Sequence, residues 1–252
     1  MRKLGALVAA AALMITGCGS SSGGSGSGSE TLTVFAAASL TESFTALKTS
    51  FESAHPGTEV KFNFAGSSAL VQQLSNGARA DVFASADQAN MDKAVQAGVV
   101  DGAPSVFATN RLTIAVAPGN PKGITGFADL ARGGLTVIVC APQVPCGSAA
   151  EKVERGTGVT LRPASEEQDV KQVLNKVQTG DADAGLVYVT DAASAAGKVG
   201  QVDFPESAQA VNSYPIAVVK DAPQAGLAEQ WVEFVLGEQG RAELQKAGFG
   251  AP

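Results

Sequence analysis

The sequence predicts an α/β protein of two lobes, each a mostly parallel sheet flanked by helices. Three observations carry this expectation. Short aliphatic runs alternate with stretches of helical periodicity, the order that builds a parallel sheet covered by helices. The alternation occurs in two groups with no low-complexity linker between them. The chain of 252 residues, 45% hydrophobic and 17% charged, is long enough to bury one large core or two smaller ones.

Residues 31–36 (TLTVFA) read as a buried strand. Residues 40–53 read as a helix, with Leu40, Phe44, Leu47 and Phe51 at helical spacing, and Ser39 with Glu42 has the form of a capping box. Val60, Phe62 and Phe64 alternate as a second strand, and residues 69–76 make a short helix closed by Gly77. Residues 81–84 give a third strand, after which Asp87 caps a helix that ends near Gly98. The second group opens with a strand at 112–117, stopped by Pro118-Gly119-Asn120-Pro121. A strand at 136–140 and a helix at 148–155 follow. Val170, Val173, Leu174 and Val177 mark one face of a helix ending at Gly180. Strands are expected at 185–189, 199–204 and 214–219, with Asp191 capping a short helix between the first two. Helices at 225–236 and 238–246 close the chain, and Trp231 with Phe234 and Val235 reads as core packing.

Arg2 and Lys3 precede an apolar run at 4–15, too short to span a bilayer comfortably but suited to a signal peptide. The run ends in Ile15-Thr16-Gly17-Cys18, which resembles the bacterial lipoprotein processing box. The resemblance implies removal of residues 1–17 and attachment of lipid to Cys18. Residues 18–30, almost wholly Ser and Gly after the cysteine, would be a flexible tether. The protein is then expected to be exported and held at the outer face of the cell membrane by lipid alone. Cys140 and Cys146, six positions apart, remain. In an oxidising compartment a disulfide closing this loop is expected, the alternative being two free, partly buried thiols. One histidine and no further cysteine pair argue against a zinc site.

With 24 acidic against 18 basic residues, the formal charge is −6. A thin acidic balance argues against a nucleic-acid partner, which needs a basic face. Taken alone it also disfavours a small anion as ligand, but only if recognition runs through net charge. The strand ends suggest otherwise. Ala37-Ala38-Ser39, Ala65-Gly66-Ser67-Ser68, Val144-Pro145-Cys146-Gly147-Ser148 and Glu166-Glu167-Gln168-Asp169 each lead from a strand or loop into a helix. Ligands of open α/β sheets sit at such places, and helix starts offer free N–H groups and a favourable dipole. Ser and Asp cap most helices without binding anything, and this layout could equally serve a sugar phosphate, an amino acid or a metal-bound ligand.

Several strings in chain order resemble the periplasmic molybdate-binding proteins, the capture subunits of ABC importers. They are Val34-Phe35-Ala36-Ala37-Ala38-Ser39-Leu40, Phe64-Ala65-Gly66-Ser67-Ser68-Ala69-Leu70, Ala80-Asp81-Val82-Phe83-Ala84-Ser85-Ala86-Asp87, Val144-Pro145-Cys146-Gly147, Gly185-Leu186-Val187-Tyr188, Tyr214-Pro215-Ile216-Ala217-Val218-Val219 and Gly248-Phe249. The resemblance spans essentially the whole chain from residue 31 to 249. It implies a type II periplasmic-binding-protein fold whose chain crosses twice between lobes, the first at 31–111 plus 217–252 and the second at 112–216. It implies molybdate or tungstate in the cleft between them. Ser39 and Ser67 would each contribute hydroxyl and backbone N–H, Cys146 and Val170 backbone N–H, and Tyr188 its phenol. Many relatives carry alanine at the position of Cys146, a change that a backbone donor tolerates. The resemblance implies no enzyme activity, no cofactor, metal bound only as the oxyanion through these five residues, an importer permease as partner, and a monomer.

Two other readings compete. Another tetrahedral oxyanion such as sulfate has the same shape and charge. A secreted serine hydrolase would need a base, yet Gly66-Ser67-Ser68-Ala69 is not a G-x-S-x-G elbow, and the lone His55 sits in a turn after a helix. Asp181 and Asp183 read as a polar turn rather than a metal site.

Overall fold

The computed structural model describes residues 30–252. The expected signal segment, Cys18 and the Ser/Gly tether up to residue 29 lie outside the described residues. The first lobe begins with β1 (Glu30–Ala37), a short 3-10 turn (Ala38–Leu40), α1 (Thr41–Ala54), β2 (Thr58–Ala65), α2 (Ser67–Ser75), β3 (Val82–Ala84), α3 (Gln88–Gln96) and β4 (Val100–Asn110). The second contains β5 (Leu112–Val116), β6 (Val137–Cys140), α4 (Pro145–Thr157), β7 (Ser165–Glu167), α5 (Val170–Thr179), β8 (Ala184–Tyr188), α6 (Val189–Ser194) and β9 (Gly200–Val202). The chain then returns through β10 (Asn212–Val219) to α7 (Ala225–Leu236) and α8 (Glu238–Lys246) in the first lobe.

Each lobe is built on a five-stranded sheet, in the orders β2-β1-β3-β10-β4 and β7-β6-β8-β5-β9. In the first sheet β1 pairs parallel with β2 and β3, while β10 runs antiparallel to β3 and β4. In the second, β6 pairs parallel with β7 and β8, and β5 runs antiparallel to β8 and β9. The sheets are therefore mixed rather than mostly parallel. The strands leaving and re-entering the first lobe, β5 and β10, supply the antiparallel pairings. The crossings are one residue long, at Arg111 between β4 and β5 and at Val211 between a 3-10 turn (Pro205–Ala210) and β10, and they are adjacent, since Asn212 faces Asn110 in register. The boundary expected at 216/217 falls inside β10, which pairs within the first sheet from Asn212 onward.

Alternation along β1 explains the layering. Leu32, Val34 and Ala36 point to one face, where Phe44, Phe51 and Trp231 of α1 and α7 pack, while Phe35 points to the other, against Leu70 of α2 and Met91 of α3. Trp231 is fully buried with edge-on contacts to Phe44 and Phe51 at 5.7 and 5.1 Å, a core role as expected. The second lobe has one continuous core, with α4 and α5 packed on β6 and β8.

Four local expectations change. β4 is an eleven-residue strand in a stretch where no strand was expected, because Gly102 and Pro104 mask it. As an edge strand it tolerates the proline. The edge strand β7 was likewise unforeseen. No capping box forms at Ser39, because the 3-10 turn moves the start of α1 to Thr41 and Ser39 turns to Tyr214 instead. Asp191 is not the cap of α6. Tyr188 holds that position, and the Asp191 carboxylate accepts from the Tyr188 N–H at 3.2 Å.

Candidate functional site

Four helix starts meet between the lobes: the 3-10 turn after β1, α2 after β2, α4 after β6, and α5 after β7. The first N–H groups of a helix precede its internal hydrogen bonds and must find partners elsewhere. At the first three of these starts the preceding residue, Ala37, Gly66 or Val144, provides no side-chain cap. At α5 the Asp169 carboxylate caps the N–H of Gln172, so the Val170 N–H lies outside that bond. α2 and α4 begin at Ser67 and Pro145, earlier than expected, which puts Ser67 and Cys146 in the first turn.

Ser39, Ser67, Cys146, Val170 and Tyr188 all line one cavity, together with Gly66, Ala86 and Asp169 among others. Its volume is ≈ 10 Å³, far below the roughly 300–1,000 Å³ of pockets for drug-sized molecules. The scale is that of a small ion. All five expected residues are buried, Ser67 completely.

The polar contacts orient the walls. The Ala86 N–H donates to Ser67 Oγ at 3.0 Å, which leaves the Ser67 proton for the cavity. Ser39 Oγ and the Tyr214 hydroxyl are 2.9 Å apart. The Tyr188 oxygen lies 2.8 Å from Asn212 Nδ2. Burial, reinforced by the neighbouring Tyr214 and by the charges of Asp87 and Asp191, raises the Tyr188 phenol well above its ordinary range. Tyr214 is also raised, chiefly by burial. Both stay protonated through neutral and mildly alkaline pH, so each keeps a proton to donate. Asp169 is the acidic residue of the lining, but its oxygens are turned to the Gln172 N–H and Nε2 at 3.0 and 2.6 Å.

The Cys140–Cys146 disulfide is formed and ties the end of β6 to the first turn of α4. Gly147 fits that closely wound loop because it lacks a side chain: a Cβ there would stand 2.0 Å from the Ala141 carbonyl oxygen.

The lobes touch around the cavity. Gly66 of the first lobe packs so tightly on Gln168 of the second that a Cβ would meet the Gln168 carbonyl oxygen at 2.1 Å. Lys171 of α5 reaches across to Glu42 of α1 at 2.7 Å and to the buried Asp191 at 2.9 Å. Asn90 Nδ2 reaches the Gln143 carbonyl at 3.5 Å.

The other candidates separate from this site. His55 stacks on Phe51 at 4.0 Å and contacts its carbonyl, at the far end of α1 from Ser39, about 20 Å away along a helix of that length. It cannot serve as a base for Ser39 or Ser67. Asp183 accepts from the Thr136 N–H and pairs with Lys122, and Asp181 accepts from Thr179, as a polar turn requires. Among the described residues no helix is long and apolar enough to cross a membrane.

Over residues 32–250 the chain matches the family described as bacterial extracellular solute-binding protein. It is 55% identical over 221 residues to the molybdate-binding protein ModA of Mycobacterium tuberculosis, covering 88% of this chain and 85% of that one. In structure it resembles the periplasmic molybdate-binding protein of Azotobacter vinelandii, with a TM-score of 0.77 and 24% identity over 88% of this chain and 99% of that one. The sulfate-binding protein SubI of Mycobacterium tuberculosis gives the same TM-score, 0.77, at 21% identity over 87% and 86% of the two chains. At these identities the two structures speak for the fold.

Proposed function

The chain belongs to the bacterial extracellular solute-binding protein family, and we propose that it captures molybdate, and tungstate with it, in the cavity between its lobes. The closed form would then be handed to an ABC importer. The observation that carries this reading is the lining itself: hydroxyls and helix-start N–H groups converge on an ion-sized space, and its single carboxylate is engaged elsewhere. Molybdate is a dianion with acceptors only, so a wall of donors satisfies every oxygen. Hydrogen phosphate carries a proton and needs an acceptor, and the one carboxylate of the lining, Asp169, has both oxygens already bonded to Gln172.

Neutral dipoles suit an anion without placing an unpaired lysine or arginine in the empty cleft, where burial would be costly. Their field is local, so the net charge of −6 does not oppose it. Both lobes donate, and ligand therefore favours the closed arrangement over the open one. Cys18, at the end of the expected signal segment, would carry lipid and hold the protein at the membrane surface.

Ser39→Ala and Tyr188→Phe should each weaken molybdate binding by about 1.5 kcal/mol, roughly tenfold, because each removes one buried donor. Calorimetry giving unchanged affinity in both variants would remove these residues from the site. Sulfate is the competing ligand, since the same fold carries a sulfate-binding protein. A thermal-shift panel of molybdate, tungstate, sulfate, phosphate and chromate separates the readings, because a ligand of the native state raises the melting temperature. Equal shifts with sulfate and molybdate would overturn the molybdate assignment.

A further inference from the structure

We infer that Asn212, which does not line the cavity, is a positioning residue that makes the Tyr188 phenol a donor to the bound anion and ties this to the meeting of the lobes. The inference rests on the reading of the cavity as an oxyanion site.

A phenol oxygen can give a hydrogen bond or receive one, and an anion with no proton needs it to give. The orientation of the Asn212 amide decides which occurs. One of its termini faces the Ala86 carbonyl at 2.7 Å and, more distantly, the Pro145 carbonyl at 3.4 Å. Both are obligate acceptors, so that terminus is the NH₂ group. The same group lies 2.8 Å from the Tyr188 oxygen. Its two hydrogens are thus used on Ala86 and Tyr188, and the phenol accepts. The Tyr188 proton cannot point back at an NH₂; in the empty cleft the Tyr214 hydroxyl beside it can accept it, and a bound anion in the cavity, which Tyr188 lines, competes for the same proton.

The position of Asn212 adds a second role. It is the first residue of β10, directly after the crossing at Val211, and it is buried. Ala86 belongs to the first lobe, whereas Tyr188 and Pro145 belong to the second. One amide therefore holds its full set of partners only when the lobes meet. Ala86 serves two of the three cavity hydroxyls: its N–H aligns Ser67, and its carbonyl fixes the amide that aligns Tyr188.

The test is a double-mutant cycle read by calorimetry with sodium molybdate, on the wild type, Asn212→Ala, Tyr188→Phe and the double variant. Asn212→Ala should weaken binding about tenfold. Added to Tyr188→Phe, it should cost less than about twofold, because its action passes through a hydroxyl already absent. A merely structural asparagine would cost the same factor in both backgrounds. If Asn212→Ala does not fold, Asn212→Ser, too short to reach Tyr188, carries the same cycle. Wild-type affinity in Asn212→Ala, or equal losses in the two backgrounds, overturns the assignment while leaving the oxyanion reading in place. Failure of the wild type to bind any oxyanion overturns both.

Discussion

Gly66→Ala should weaken molybdate binding about 100-fold while lowering the stability of the ligand-free protein by less than about 1 kcal/mol. Gly66 has φ −60° and ψ 138°, a conformation open to any residue, so alanine adds no backbone strain. Its cost arises across the lobes. The new Cβ would lie 2.1 Å from the Gln168 carbonyl oxygen and 3.3 Å from its carbon, where real contacts under 3.0 Å essentially do not occur. The lobes must part by about an ångström to relieve it, and donors on opposite walls then cannot reach the same anion. An open form, with the lobes parted, would be free of this clash. The substitution thus acts on the closing equilibrium, and the loss of affinity measures the closed state that it removes. Calorimetry gives the affinity, and small-angle scattering with saturating molybdate should report a larger radius of gyration than for the wild type. Affinity within threefold of the wild type would show that the Gly66–Gln168 contact is not needed for binding.

What could be read from the chain in advance follows the range of the interactions involved. The strand-to-helix junctions carrying Ser39, Ser67, Cys146 and Val170 are local features. Their residues announce a helix start, and a helix start places its own N–H groups. That all four share one cavity with Tyr188 is a tertiary fact, and it was legible only through the resemblance of whole strings. Partners distant in sequence escaped. Ser39 with Glu42 looked like a cap, yet Ser39 meets Tyr214, 175 positions away, and Glu42 meets Lys171, 129 positions away. Gly66 read only as one residue of a strand-to-helix junction, because Gln168, whose carbonyl leaves no room for a side chain there, lies in the other lobe. Asn212 carried no signal at all, since its role exists only where two crossings lie side by side. β4 was hidden for a related reason. Its pairing with β10 joins segments about a hundred residues apart, and its edge position allows the glycine and proline that make it look like a loop.

The second large effect is on stability. Lys171→Met should destabilise the protein by about 3 kcal/mol. Asp191 is wholly buried, and Lys171 stands 2.9 Å from its Oδ1 as the cation that neutralises it. Burial raises the Asp191 carboxyl above 3.8, and Lys171 opposes that rise. Burial by itself would lower Lys171, but Asp191 and Glu42 outweigh it and hold the ammonium above 10.5. A cation raised in the folded state gives stability that is complete below 10.5 and is lost as pH climbs through the folded value. The wild-type pair should therefore be intact from neutral pH to the edge of that alkaline window. In the variant the carboxylate has lost its cation, and its pKa should climb further. A carboxyl raised on folding is a burden once the pH exceeds its folded value and is relieved by protonation below it. The deficit of Lys171→Met should accordingly be largest near pH 8 and shrink toward pH 5, which urea melts at both values would read. Adding Asp191→Asn removes the buried charge while keeping an oxygen for the Tyr188 N–H, and should recover about 2 kcal/mol of the loss. Glu42→Gln is the control for the link across the lobes. Glu42 is half exposed, so its loss should leave ligand-free stability nearly unchanged and register in molybdate affinity alone. A Lys171→Met protein as stable as the wild type at pH 8, or one that Asp191→Asn fails to rescue, would mean that the buried carboxylate is already neutral. The Lys171 bridge would then matter only to closure.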